Sequence, residues 1–192
     1  MSGDPTVVEY DEQKFAELLL YVASRMSSDP TFGATKLNKV LFYCDFFHYA
    51  DQGVAITGAE YQRLRNGPAP RRLLPVQADL VASDAAYIVR TAVGQFVQKR
   101  LVPLREADLR LFSAPEIAYV EKIIDWLEGR TATAVSRMTH HMLAWKITEP
   151  GETIPYNAVF LYDGPLTEDV VLHAKQIAER LRPELANAGL VA

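Results

Sequence analysis

The chain has a single cysteine, Cys44, so no internal disulfide can form and the stapled scaffolds of small secreted proteins are excluded. Its uninterrupted apolar runs stop far short of the ~20 residues that a membrane helix requires, so no membrane partner is expected. Met1 to Glu9 carries neither a basic leader nor a long apolar stretch. No secretory signal is read there, and a cytoplasmic location is the expectation. The phosphate-binding P-loop, the dinucleotide fingerprint, the H-E-x-x-H zinc pattern and the G-x-S-x-G elbow are all missing, and so is an RNA-binding aromatic motif. The expectation is a protein with no cofactor, no metal and no catalytic residues.

What is present is average in bulk and uneven in arrangement. With 49% apolar and 23% charged residues, the 192-residue chain suits one domain, which at this size buries roughly 70% of the surface its unfolded chain exposes. The net charge of −4 divides into −4 over residues 1–30, +5 over 31–105 and −5 over 106–192. A basic middle can steer an acidic partner or a nucleic acid, or it can pair with its acidic flanks once folded.

Hydrophobic periodicity places the elements. Asp11 caps a helix over 11–28 with Phe15, Leu18, Leu19, Val22 and Met26 on one face. Pro30 lies just beyond its end. A second helix over 34–50 begins amphipathic, with Leu37, Val40, Leu41 and Cys44 in a stripe. It then places Phe42, Tyr43, Phe46, Phe47 and Tyr49 all round its axis, so it is either buried or covered by a partner. Gly53 supplies the stop. Ile56–Leu64 reads as extended, Asn66–Pro70 as a punctuated loop, and Arg71–Ala82 as a short helix with Pro75 in its first turn. Tyr87–Thr91 and Phe96–Leu101 form a hairpin with Gly94 in the turn. Ser113 and Glu116 make a capping box for the next helix. Helices over 132–145 and 167–185 complete a mainly α (α+β) fold, a single globular helical domain with a small antiparallel hairpin over 11–188, preceded by a tail at 1–10.

Three constellations raise the question of chemistry. Cys44, Asp45 and His48 share one helical turn, with Cys44 and His48 at metal-gripping i, i+4 spacing, but one turn supplies too few ligands for zinc. Ser136 and His140 are also four apart. They lack an orienting acid and a turn presenting the hydroxyl beside oxyanion donors, so the structural reading is a hydrogen-bonded polar pair. Trp145 suits either a core anchor or a binding hot spot. Arg63, Arg65, Arg71 and Arg72 form the densest basic cluster, able to hold phosphates or an acidic protein surface, or simply to be solvated.

Three blocks carry a family resemblance. They are Lys36-Leu37-Asn38-Lys39-Val40-Leu41-Phe42-Tyr43-Cys44-Asp45-Phe46 with His48; Ile56-Thr57-Gly58-Ala59-Glu60-Tyr61 with Asn66-Gly67-Pro68-Ala69-Pro70; and Ser136 to Trp145 with Pro150-Gly151 and Ile154-Pro155-Tyr156. In order and spacing, over residues 10–160, the chain resembles the Panacea domain of the SocA-like antitoxins of bacteria and phages. Ala69 departs from a commoner valine, and His141 adds a second imidazole beside His140. The resemblance implies neutralisation of a cognate toxin encoded next door by direct contact. It also implies, for some members, proteolytic control through a protease or its unfoldase.

It brings no catalytic residues. Its motif positions here are Lys36, Lys39, Tyr43, Asp45, His48, Gly58, Tyr61, Gly67, Pro68, Ser136, Thr139, His140 and Trp145, either structural or partner-binding. Phe42, Phe46, Tyr49, Tyr61, Arg63, Arg65, Arg71 and Arg72 are the expected toxin interface, an aromatic and arginine anchor within a polar rim. The rival reading is a winged-helix-like DNA-binding regulator. It suits the basic middle, but the acidic whole makes nucleic acid the less expected partner, and no helix combines base-reading and phosphate-holding side chains.

Overall fold

The computed structural model describes residues 8–93 and 96–161, with positions 172 and 179. The chain divides into two compact units, 1–161 and 162–192. The helix read over 167–185 and the Gly94 turn lie outside the described residues. In the first unit the order is α1 (Glu12–Arg25), α2 (Ala34–Gln52), β1 (Tyr61–Leu64), β2 (Gly67–Pro70), α3 (Leu73–Ala82), β3 (Ala86–Val93), β4 (Phe96–Pro103), α4 (Ala114–Leu127), α5 (Ala132–His141) and α6 (Leu143–Ile147). Short 3-10 turns follow β4 and α6, at Leu109–Leu111 and Tyr156–Phe160. Among the described residues the architecture is mainly α with two small antiparallel sheets.

Helix boundaries fall where capping chemistry puts them. The Asp11 carboxylate accepts from the Lys14 N–H at 2.9 Å, satisfying one of the free donors at the start of α1. Gly53 ends α2 in the left-handed region at φ 77°, which costs a residue without Cβ nothing. Ser113 and Glu116 form the reciprocal capping box of α4, with Pro115 in the first turn. Ser113→Ala is expected to lower stability by about 1 kcal/mol. A shift of the urea midpoint without a change in slope would register it.

The helix α2 is the axle of the unit. It packs against β2, α4, α5, α1 and the Tyr156–Phe160 turn. Its all-round aromatic character is therefore met by the chain itself. Phe42 lies edge-on to Tyr43 and Tyr61, and Phe46 stacks on Tyr156 at 4.4 Å between ring centres. Such pairs add about 0.5–1.5 kcal/mol beyond the area they bury. Cys44 is buried in the same core.

Two elements differ from the sequence expectation. Asn66–Pro70 is not an open loop: Gly67–Pro70 is strand β2, in register with β1 from Tyr61↔Pro70 to Leu64↔Gly67. Prolines at 68 and 70 cannot donate to a ladder, which argues against a strand in the sequence; tertiary burial of all four residues overrides that bias. The helix expected over 132–145 is two helices. Met142, extended at φ −69° and ψ 132°, breaks the run and re-aims α6. The Gly151–Ile154 segment then lies along β1: Arg63 N–H donates to Glu152 O at 2.9 Å, and Ile154 N–H to Tyr61 O at 2.8 Å.

Candidate functional site: the motif cluster and the grooves beside it

The motif residues converge on α2, but most of them hold one another. Asp45 is wholly buried; its carboxylate accepts from the Thr57 N–H, the Thr57 hydroxyl and the Tyr61 hydroxyl, each at 2.7 Å. Burial pushes this carboxyl up, against the pull of those hydrogen bonds. The left-handed Gly58 lets the chain pass against the N-terminal segment. A Cβ there would sit 2.0 Å from Glu9 O. His48 Nδ1 lies 2.7 Å from Val54 O. Among the described residues no group of three or more His, Cys, Asp or Glu side chains converges as a metal site would.

The two motif lysines are buried on the same helix in opposite circumstances. Lys36 donates to Asp29 Oδ2 at 2.5 Å, Arg130 O at 2.7 Å and Thr31 Oγ1 at 3.1 Å, which accounts for all three ammonium protons. Burial by itself would raise Asp29, but the bonds from Lys36 and Thr31 outweigh it and lower the carboxyl to about 2. Lys39 has a single acceptor among the described residues, Pro68 O at 2.9 Å. Burial without a carboxylate partner lowers it to about 7. Nothing in the sequence distinguishes the two; Asp29, which does, lies there only as the residue before Pro30.

Lys39 is closed in by the other two blocks. A Cβ on Gly67, at φ +95°, would meet Thr139 Oγ1 at 2.5 Å and Lys39 Cε at 2.6 Å. Gly67→Ala is expected to cost about 2–3 kcal/mol from strain and overpacking together. Thermal unfolding should show the double variant Gly67→Ala/Thr139→Ala recovering part of that loss.

Ser136 and His140 each engage a different neighbour. The Ser136 hydroxyl donates to Asn66 O at 2.7 Å, tying α5 to the β1–β2 turn. The His140 ring instead stacks on Trp145 at 4.2 Å. Desolvation, with Lys39, Arg63 and His141 nearby, lowers the imidazole pKa. His140 Nε2 and Trp145 Nε1 have no hydrogen-bond partner among the described residues, so of the Ser136–His140 pair expected to satisfy its hydrogen bonds only the Ser136 hydroxyl does so. Arg63 packs its guanidinium 4.1 Å from the Trp145 ring centre and donates to Thr148 O.

The expected toxin interface is corrected accordingly. Phe42, Phe46 and Tyr61 are wholly buried, because α2 needs them for its core, and a partner cannot touch them without opening the fold. Arg63 serves the α6 end, and Tyr49 is half-buried against Tyr156 and Phe160. Arg71 donates to Gly151 O and Thr153 Oγ1, while Arg72 pairs with Glu12 at 2.7 Å. Arg65 is exposed. The basic middle thus pairs in part with its acidic flanks, as Arg105 with Glu17 does at 2.6 Å.

Beside this cluster two clefts open, of about 770 and 650 Å³. They share Ala34 and Lys99 in their walls. The larger reaches Ser136 and His140 past Val93 and Val97; the smaller runs between α3 and the β3–β4 hairpin over Leu74, Val81 and Ile88.

A family model described as antitoxin SocA-like, Panacea domain, matches residues 37–146, from α2 through α6. No curated protein and no solved structure matches the chain. The matched segment contains all three lobes of the cluster: the buried Asp45 knot, the Lys39–Gly67–Thr139 closure and the His140–Trp145 stack. The chain belongs to the SocA-like antitoxin family and carries its Panacea domain.

Proposed function

We propose that this protein is the antitoxin of a toxin–antitoxin pair and silences its cognate toxin by direct protein–protein contact, in the cytoplasm. The observation that carries the reading is the family match over residues 37–146, which implies a toxin partner and a regulatory rather than an enzymatic role. The internal use of the motif side chains supports it. Asp45, Lys36 and Ser136 all hold contacts within the chain, so they serve the scaffold, and recognition falls to the surface the scaffold presents. No helix among the described residues is long and apolar enough to cross a membrane.

The test is co-expression with the product of the adjacent reading frame. That product is expected to arrest growth alone, to be tolerated alongside this protein, and to co-purify with it. A neighbour that is harmless, or one that still arrests growth when this protein is present, refutes the proposal.

A further inference from the structure

Arg90 and Lys99 are direct cross-strand partners in the β3–β4 hairpin. Residues opposed in an antiparallel pair share a face, and both side chains line the smaller cleft. Like charges placed directly opposite destabilise a sheet unless an anion lies between or beside them. Among the described residues neither has a carboxylate partner, although the chain as a whole carries four more acidic than basic residues. No aspartate or glutamate lines either cleft, whereas Arg71, Arg90, Lys99 and Arg137 do. The lining of the smaller cleft beside this pair is apolar and exposed: Leu74 keeps 74% of its surface, with Val81 and Ile88 also in the wall. An acidic protein has therefore kept the smaller cleft, an apolar trough between α3 and the hairpin, free of acids and set an unneutralised pair of cations in its hairpin wall.

We infer that this trough is the toxin-docking surface, and that its occupant is an amphipathic segment of the toxin. That segment lays apolar side chains over Leu74, Val81 and Ile88 and presents carboxylates to Arg90 and Lys99. The inference rests on the antitoxin reading and specifies its partner. Charge complementarity selects the acid; the apolar floor selects a peptide over a nucleic acid. Apart from the His140 imidazole, no aromatic ring lines either cleft, so a base would find no stacking platform. Helix-in-groove recognition of this kind draws affinity from the apolar face, and the flanking charges set partner choice and on-rate. The sequence expectation placed the interface on the Phe42–Tyr49 helix face, Tyr61 and the Arg63–Arg72 loop; the trough keeps Arg71 in its wall and moves the centre to the hairpin.

Two measurements separate this inference from the reading beneath it. The first uses a fluorescein-labelled Leu/Glu amphipathic peptide of about 18 residues, long enough for four to five helical turns, with a Leu/Lys analogue and a duplex DNA oligonucleotide as comparison probes. Anisotropy should show the acidic peptide binding the intact protein, and binding about ten-fold or more weaker to Arg90→Glu/Lys99→Glu and to Leu74→Asp. The matched charge change Arg110→Glu/Lys122→Glu, placed elsewhere on the surface, should leave it unaltered. All these positions are exposed, so equal melting temperatures are expected to confirm that folding is intact. The second measurement repeats the growth rescue with the same variants.

If the intact protein rescues and the trough variants rescue as well as it does, the docking assignment is wrong while the antitoxin reading stands. If the intact protein fails to rescue, the antitoxin reading falls, and the peptide arm still decides whether the trough takes acidic amphipathic segments. Equal affinity for the Leu/Lys analogue, or DNA binding that vanishes in Arg90→Glu/Lys99→Glu while the acidic peptide never binds, overturns the inference.

Discussion

Lys36→Met is expected to destabilise the protein by about 3–5 kcal/mol, a large share of the roughly 5–15 kcal/mol that a typical domain has. The ammonium group is enclosed with Asp29 at 2.5 Å and spans two connections, donating to Thr31 beside α1 and to Arg130 O between α4 and α5. Without it, a buried carboxylate keeps bonds to Thr31 and Gly129 but loses its counter-charge. Removing both partners is gentler: Lys36→Met/Asp29→Leu should recover much of the loss, because apolar groups leave no isolated charge. The same pair sets an acid limb. Asp29 is lower in the folded chain than in the unfolded one, so its contribution is present above about pH 4 and is lost as the pH falls toward 2. Urea titrations of the parent and both variants between pH 3 and pH 7 measure all of this. A Lys36→Met loss under about 1 kcal/mol would mean that the pair is not truly desolvated.

Lys39 predicts a second rise of stability with pH, on the alkaline side. Burial lowers it from 10.5 to about 7, so between those values the unfolded chain holds a proton that the folded chain has released. Stability must then rise with pH, by up to about 1.4 kcal/mol for each pH unit in that window, and level off below about pH 7, where both states hold the proton. Cys44 and Tyr43 are both raised by burial and take stability away at higher pH. The clean interval is therefore from about pH 7 to about pH 8.5, below the usual thiol range. Over it the parent should gain on the order of 1–2 kcal/mol and Lys39→Met should show no slope. A parent stability that is level across the interval would show Lys39 still charged in the fold.

Much of the scaffold is legible in the sequence because its causes are local. The cap at Asp11, the capping box at Ser113–Glu116, the αL stop at Gly53 and the β3–β4 hairpin are each set by a few adjacent residues. Local pattern misleads where distant packing decides. Strand β2 forms through two prolines because β1 and α2 bury it. The helix over 132–145 breaks at Met142 although its apolar spacing runs straight through. The aromatic face of α2 is equally consistent with a core and a partner surface, since periodicity says only that something covers it.

By itself, then, the sequence determined the mainly helical class, the caps and the family, since each rests on residue types at short fixed spacings. Tertiary structure alone decided which charges are paired. It brought Asp29 to Lys36, which lie seven positions apart, and left Lys39, three residues further along the same helix, with a carbonyl. It also set Arg90 beside Lys99 in the hairpin wall of a trough that no carboxylate lines. Electrostatic energy depends on through-space distance and burial, and neither is written in the spacing of residues along a chain.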